Sequence, residues 1–379
     1  MTSMRKIICS SILLILCQIM INAQNTFVFI GSYNYDKNKD GIYVFELDTT
    51  NGNLTKVASA KNILNPSFLT LNKNGNIIYV CTDTRTPKDG SLSSFEFNSA
   101  AKNLTFINTQ KTGGENPVYV TLDKNEKWLL SANYNDGSVA VLPVNKDGYI
   151  SNYSQIIHFK DSSFNLKRQS SAHIHAAVFS PDNHFVFLPD LGADKIRCFQ
   201  FDSLQQLPLK NAEFPFTKTT SGCGPRHFTF HPNGKFAYGI EELAGMISVY
   251  QYEKGKLSAV QRITTHHKND TFDFSSADIH ISPDGKFLYA SNRGEENNIG
   301  IFKIKKNGKL KNVGYQSSLG KTPRNFAIDA TGKFLIVANQ STGIIVVFKR
   351  NFKNGMLQKT GNEIKIENPT CVRIKKFAP

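Results

Sequence analysis

The stretch GPRHFTFHPNGKFAYGIEE, residues 224–242, decides the reading of the whole chain. Its centre, HPNGK (231–235), is a turn, because Asn-Gly supplies the positive φ that a tight hairpin needs. The flanks FTF and FAYGI are apolar runs of the kind that form buried strands. A hairpin folds the chain back on itself, so the start of its first strand lies beside the end of its second. Arg226 and Glu241 are therefore expected as neighbours, both far from the turn.

The same hairpin recurs along the chain. LNKNGNIIYVCT (71–82), LDKNEKWLLSAN (122–133), FSPDNHFVFLPD (179–190), FHPNGKFAYGIE (230–241), ISPDGKFLYASN (281–292) and IDATGKFLIVAN (328–339) start 51, 57, 51, 51 and 47 residues apart. A period near 50 residues with only β signals predicts stacked all-β units, of which a propeller is the common solution. No sustained 3.6-residue period is present, which excludes helical solenoids. Each hairpin is followed by a third strand such as MISVYQYE (246–253) and a short fourth such as KLSAVQRI (256–263), giving four-stranded blades.

Six repeats leave two loose ends. FVFIGSYN (27–34) and GIYVFELD (41–48) are a second and third strand without a first, and NPTCVRI (368–374) is a first strand without a second. Together they complete one blade. The expected fold is an all-β, seven-bladed β-propeller over residues 24–379, its ring closed by N- and C-terminal strands that share one blade and so leave no open sheet edge.

The register also points to a site. The residue after the Pro position of each blade is Ser67, Val118, His175, Arg226, Ala277, Arg324 or Thr370. The second strand ends at Ser32, Thr82, Asn133, Asp190, Glu241, Asn292 or Asn339, followed by Tyr33, Asp83, Tyr134, Leu191, Glu242, Arg293 or Gln340. A ring that served packing alone would repeat one residue type, whereas this one is polar and differs from blade to blade. It gathers His175, Arg226, Glu241 and Arg293 as candidate catalytic residues at one mouth of the channel. Arg324, Asn133, Asp190, Asn292, Asn339 and Gln340 are the candidate substrate-binding residues around them. Taken singly, each has a structural reading: a core histidine, a blade-locking ion pair, an asparagine capping a strand end. The insertion HFKDSSFNLKRQSSAHIH (158–175), where the repeat widens to 57 residues, adds loop length beside the same mouth.

The chain's 379 residues carry a formal charge of +15. The lysines are spread through turns, as in KIKKNGKLK (303–311), which argues against a nucleic-acid surface and for a solvated basic exterior that attracts a small anion. Residues 1–23 read as a signal peptide: Arg5 and Lys6, a short apolar core, then Asn22-Ala23-Gln24. Leu16 before Cys17 is too bulky for a lipid-attachment site. No later run is long and apolar enough to span a membrane. The expectation is an exported, periplasmic or secreted monomer. Cys81, Cys198, Cys223 and Cys371 lack metal-ligand spacing and read as core thiols, although export permits disulfides.

RQSSAHIHAAVFSPD (168–182), PDLGADKI (189–196), residues 224–242, ADIHISPDGKFLYASNRG (277–294) and TPRNFAIDATGKFLIVANQ (322–340) together resemble the seven-bladed propeller lactonase family, which includes propeller-type 6-phosphogluconolactonases and fungal carboxymuconate cyclases. The resemblance covers essentially the whole chain after residue 23. It implies a hydrolase that opens a sugar lactone, with 6-phosphogluconolactone or an unphosphorylated sugar lactone as substrate. The catalytic set of the cyclase-type relatives falls on His175, Arg226, Glu241 and Arg293. The family's usual Asn-Glu pair is here Ile240-Glu241. In this reading His175 is the general base, since an imidazole pKa near 6.5 suits neutral pH. Glu241 orients it or the arginines, and the arginines bind the oxyanion and a distal anionic group. No cofactor is expected; Ca²⁺ on the Asp and Asn oxygens is the metal alternative, opposed by the arginines. A cyclase or isomerase of the muconate type, and a non-enzymatic binding propeller, are the competing functions.

Overall fold

The computed structural model describes residues 25–88, 90–267 and 273–377. The predicted signal peptide lies outside the described residues. Among them no helix is present, and twenty-eight strands form seven four-stranded sheets. In the closing blade the order is Pro369–Lys376, Thr26–Ser32, Ile42–Leu47, Leu54–Ala60. Pairing runs from Thr26 opposite Lys376 to Ser32 opposite Pro369, so the two ends of the chain do share one sheet.

Burial follows position in the blade. Second strands such as Ile77–Thr82, Trp128–Asn133 and Phe334–Asn339 are buried at every residue, because neighbouring blades cover both their faces. In the outermost strand Lys256–Thr264 only Leu257 is buried, and the other residues are exposed or half-buried. Blades lock together through a repeated turn device. Gly308 and Gly355 sit at φ of 77° and 78° in outer turns, and a Cβ there would lie 2.4 and 2.5 Å from Phe236 and Phe287 of the preceding blade. The glycine serves both the left-handed turn and the close approach. Tyr238 and Tyr289 donate to the carbonyls of the same two glycines at 2.9 and 2.7 Å. Cys81, Cys198, Cys223 and Cys371 are free and buried.

The innermost strands determine what faces the channel mouth. In the hairpin of residues 225–241, Pro225 pairs with Glu241 but His227 pairs with Ile240, so Arg226 is the extra residue of a β-bulge. The shift recurs at Val118, Arg324 and Thr370, each one residue past a proline. A bulge bends the strand and re-aims the extra side chain. One blade departs from the pattern: its first strand is only Val178–Phe179, preceded by an isolated bridge from Ile174 to Asp190. The insertion packs there onto glycines. A Cβ on Gly137 or Gly192 would lie 2.5 Å from the Ala172 carbonyl oxygen or 1.8 Å from that of Ser171.

Candidate functional site

Period-2 alternation sorts the residues of the mouth. The bulged position and, in four blades, the residue after the second strand turn into the channel, whereas the last residue of the second strand turns into its own blade. Tyr33, Tyr134, Glu242 and Arg293 thereby join Val118, His175 and Arg324 around a pocket of about 190 Å³. Arg85, Asn116 and Arg168 complete its wall.

Glu242 is the centre of charge. Its Oε2 lies 2.9 Å from Arg226 Nε and 3.0 Å from Arg293, and its Oε1 accepts from Arg168 at 2.6 Å. Burial opposes the charge on this carboxyl, but Arg293, Arg226 and Arg168 outweigh it and hold the pKa at about 2. Glu242 is thus a permanent carboxylate and a poor base. Arg293 also donates through Nε to the Ser275 carbonyl at 3.1 Å, which fixes its fork against the pocket. Arg168 comes from the insertion, which is stapled by Ser163 Oγ to Asp194 at 2.5 Å and by buried Gln169 to the Leu191 carbonyl at 2.8 Å.

Arg226 lies one layer deeper and is almost wholly buried, lining a small cavity with Ser67, His227 and Arg324. Its NH1 donates to the Ala277 carbonyl and, at 3.2 Å, to His227 Nε2. A donor at Nε2 requires a lone pair there, so His227 carries its proton on Nδ1, which reaches Asp278 Oδ1 at 2.7 Å. Burial and then Arg226 hold His227 down at about 4. His280 and Asn325 bind the other oxygen of Asp278, at 2.9 and 2.5 Å. This layer is a floor under the pocket.

His175 stands between floor and pocket. Its ring meets Tyr134 edge-on at 5.4 Å and His227 at 5.3 Å, and its buried Nδ1 has no hydrogen-bond partner. Burial, then Arg226, His227 and Arg324, push its pKa well below the usual histidine range. His175 is therefore neutral at pH 7. His173 does not enter the pocket; it stacks on Tyr134 at 4.4 Å and holds that residue's carbonyl through Nδ1 at 2.7 Å.

The structure brings His175, Arg226, Arg293 and Arg324 together, as the register expected. Glu241 is a correction. It does pair across the hairpin with the strand that bears Arg226, but the bulge sends Arg226 into the channel while Glu241 points into the blade. There it accepts from Ser248 at 2.6 Å and Arg262 at 2.6 Å. The arginines' carboxylate is the next residue, Glu242. The same alternation removes the predicted binding residues at strand ends. Asn133 bonds Ser138 (3.0 Å), Asp190 takes Arg197 (2.8 Å), Asn292 holds the Thr265 carbonyl (2.8 Å), and Asn339 holds that of Ser318 (2.9 Å). Gln340 follows such a strand, yet it is held through its backbone, its N–H donating to the Thr322 carbonyl at 2.8 Å and its carbonyl accepting from Gly343 at 3.3 Å, and it does not line the pocket. The Asp190 carboxylate and the side-chain amides of Asn133, Asn292 and Asn339 are thus turned toward the blades rather than the pocket. Tyr33, Tyr134 and Glu242 were identifiable from the register, one residue beyond the strand ends. Arg168 lies in the conspicuous RQ of the insertion, and nothing in the sequence marks Arg85.

The family model described as "Lactonase, 7-bladed beta-propeller" matches residues 27–374. A curated relative from Formosa agariphila, named 6-phosphogluconolactonase, is 40% identical over 355 residues, covering 93% of this chain and all of its own. The solved structure of a candidate 6-phosphogluconolactonase from Bacteroides fragilis superposes with a TM-score of 0.88 at 34% identity, covering 94% of this chain and 99% of that one. The periplasmic gluconolactonase of Pseudomonas aeruginosa superposes at 0.87 with 31% identity, covering 92% and 99%.

Proposed function

Because the chain belongs to the seven-bladed β-propeller lactonase family, we propose that it hydrolyses a sugar lactone in the pocket around Glu242. The observation that carries the reading is the neutral, buried His175 beside three arginines organised by one carboxylate. Water attacks the lactone carbonyl and His175 accepts its proton. Arg293 donates to the tetrahedral oxyanion, and collapse of that intermediate breaks the ring C–O bond. The alkoxide so released takes the proton back from His175, leaving a hydroxy acid. Arg226, buried against Glu242 and His227, acts as a positioning residue.

The arginines also depress His175's basicity. A bound anion offsets their field, so substrate itself raises the His175 pKa toward a useful value. In this scheme the arginines supply the charge stabilisation that a metal would otherwise give. Residues 1–23 and the periplasmic relative favour export.

The test is hydrolysis of 6-phosphogluconolactone and glucono-δ-lactone by the purified protein, with EDTA present and spontaneous opening subtracted. His175→Ala and Arg293→Ala should each lower kcat/KM by roughly 10²–10³-fold. Full turnover in both variants would sink the assignment.

A further inference from the structure

The pocket has two unlike halves. On one side Arg168, Arg226 and Arg293 all pair with the one carboxylate of Glu242. On the other, Arg85 and Arg324 both lie on the ring of Tyr33, their guanidinium carbons 4.1 and 5.5 Å from its centroid. Among the described residues neither is paired with a carboxylate. Two like charges gathered on one ring without a counter-ion repel each other unless an anion joins them.

The hydrogen bonds are already arranged for one. Arg324 donates to the Tyr33 hydroxyl at 3.2 Å and Arg85 to that of Tyr35 at 3.4 Å. Each hydroxyl accepts from an arginine and so keeps its own proton to donate. Two guanidinium forks and the Tyr33 phenol of the pocket wall suit a group with several acceptor oxygens. The loop that brings Arg85 is held in an unfavourable backbone: Asp83, Arg85 and Lys88 all have φ between 51° and 66° without being glycine. Its position is fixed by Arg85 N–H donating to Asn116 Oδ1 at 3.2 Å. Strain of this kind persists where the surroundings enforce it, and gathers at ligand clamps.

We propose that Arg85 and Arg324, braced on Tyr33, form a second anion subsite that holds a phosphate ester on the substrate's side arm, apart from the reacting carbonyl. Arg85 is then the specificity-determining residue between phosphorylated and neutral lactones. This rests on the lactonase reading for its substrate, but not for its ligand chemistry.

Two measurements separate the two. Kinetics of Arg85→Gln and Arg85→Lys should show kcat/KM for 6-phosphogluconolactone falling about 30-fold in the Gln variant, through KM, a loss several-fold larger than that for glucono-δ-lactone, with the Lys variant intermediate. Titration calorimetry with inorganic phosphate should show binding to the unmodified protein that Arg85→Gln and Arg324→Gln each weaken. Phosphate binding lost in those variants, without turnover of any lactone, would keep the subsite and sink the lactonase reading. Lactone turnover in which Arg85→Gln affects both substrates equally, or neither, would overturn the subsite and leave the lactonase standing.

Discussion

The two mouths of the channel are built from the same strands and differ in how far their side chains reach. At the mouth formed by the hairpin turns, one polar side chain per turn serves that turn, and the contacts between turns are few, as from His231 to the Gly285 carbonyl at 3.0 Å. Asp123 accepts from the backbone of Lys127 and Trp128 at 2.7 and 2.8 Å, and Asp329 from that of Phe334 at 2.6 Å. Ser282 bonds Asp284, two residues on, at 2.5 Å. At the other mouth the partners are remote in sequence: Arg168 meets Glu242 and Arg324 meets Tyr33. A side chain that stabilises one turn can be repeated from blade to blade, and in the six blades with such a turn Asn72, Asp123, Ser180, His231, Ser282 and Asp329 each do so. A side chain that completes a constellation across blades cannot be repeated, because each blade contributes a different part. Departure from the repeat is therefore the mark of chemistry in this fold.

The sharpest test of that contrast uses adjacent residues. Glu241 and Glu242 are both buried carboxylates on arginines, but one faces its blade and the other the channel. Glu242→Gln should lower kcat/KM by roughly 10³-fold, because three arginines lose the charge that orders them. Glu241→Gln should leave kcat/KM within about twofold and cost roughly 2–4 kcal/mol of stability, through lost bonds to Arg262 and Ser248. Lactone kinetics and denaturant unfolding of the two variants check this. Equal losses of activity would mean that facing the channel is not what matters.

The fold was legible because the hairpin repeat is local: Asn-Gly turns and apolar runs are written in consecutive residues. Closure was legible too, since a second strand without a first at one end matched a first without a second at the other. The site was legible to within one residue. Aligning on the turns placed Arg226 and Glu241 at one rim, and the backbone pairing is as expected. What the alignment could not register is the bulge, one extra residue that rotates Arg226 without altering the hairpin's length or pattern. From there the carboxylate shifts from Glu241 to Glu242, and the strand-end asparagines leave the pocket. Arg85 was invisible for a different reason: it sits on a loop outside the repeat, and its partner Tyr33 is distant in sequence.

The floor of the site gives a pH prediction of intermediate size. His227 is held at about 4 against an unfolded value near 6.5, and His175 also lies well below it. The folded state thus binds fewer protons than the unfolded one, so stability rises with pH in this window. It is fully present above about pH 6.5 and is lost as pH falls toward 4. His227 alone should cost about 2 kcal/mol by pH 5, where ordinary carboxylates are still mostly ionised. Denaturant unfolding at pH 7, 6 and 5 should show the decline, and His227→Gln should flatten it. An unchanged slope in that variant would remove the buried neutral histidine as its source.

The smallest effect belongs to the turn mouth, and it is the control for everything above. Asp329 is buried and accepts from the Phe334 and Thr331 N–H groups. Asp329→Ala strands the Phe334 donor in the interior, which costs about 1–2 kcal/mol. In a ring of this size that lowers Tm by only a few degrees. Because the residue serves its own turn, the loss should stay there, with kcat/KM for either lactone unaltered at a temperature where the variant is folded. Thermal melts and lactone kinetics on the same preparation make the comparison direct. A folded Asp329→Ala protein with impaired turnover would mean that strain at one mouth is felt at the other, through strands buried along their whole length. The two ends of the channel would then be one mechanical unit, and the bulges could no longer be treated as rigid mounts for Arg226 and Arg324.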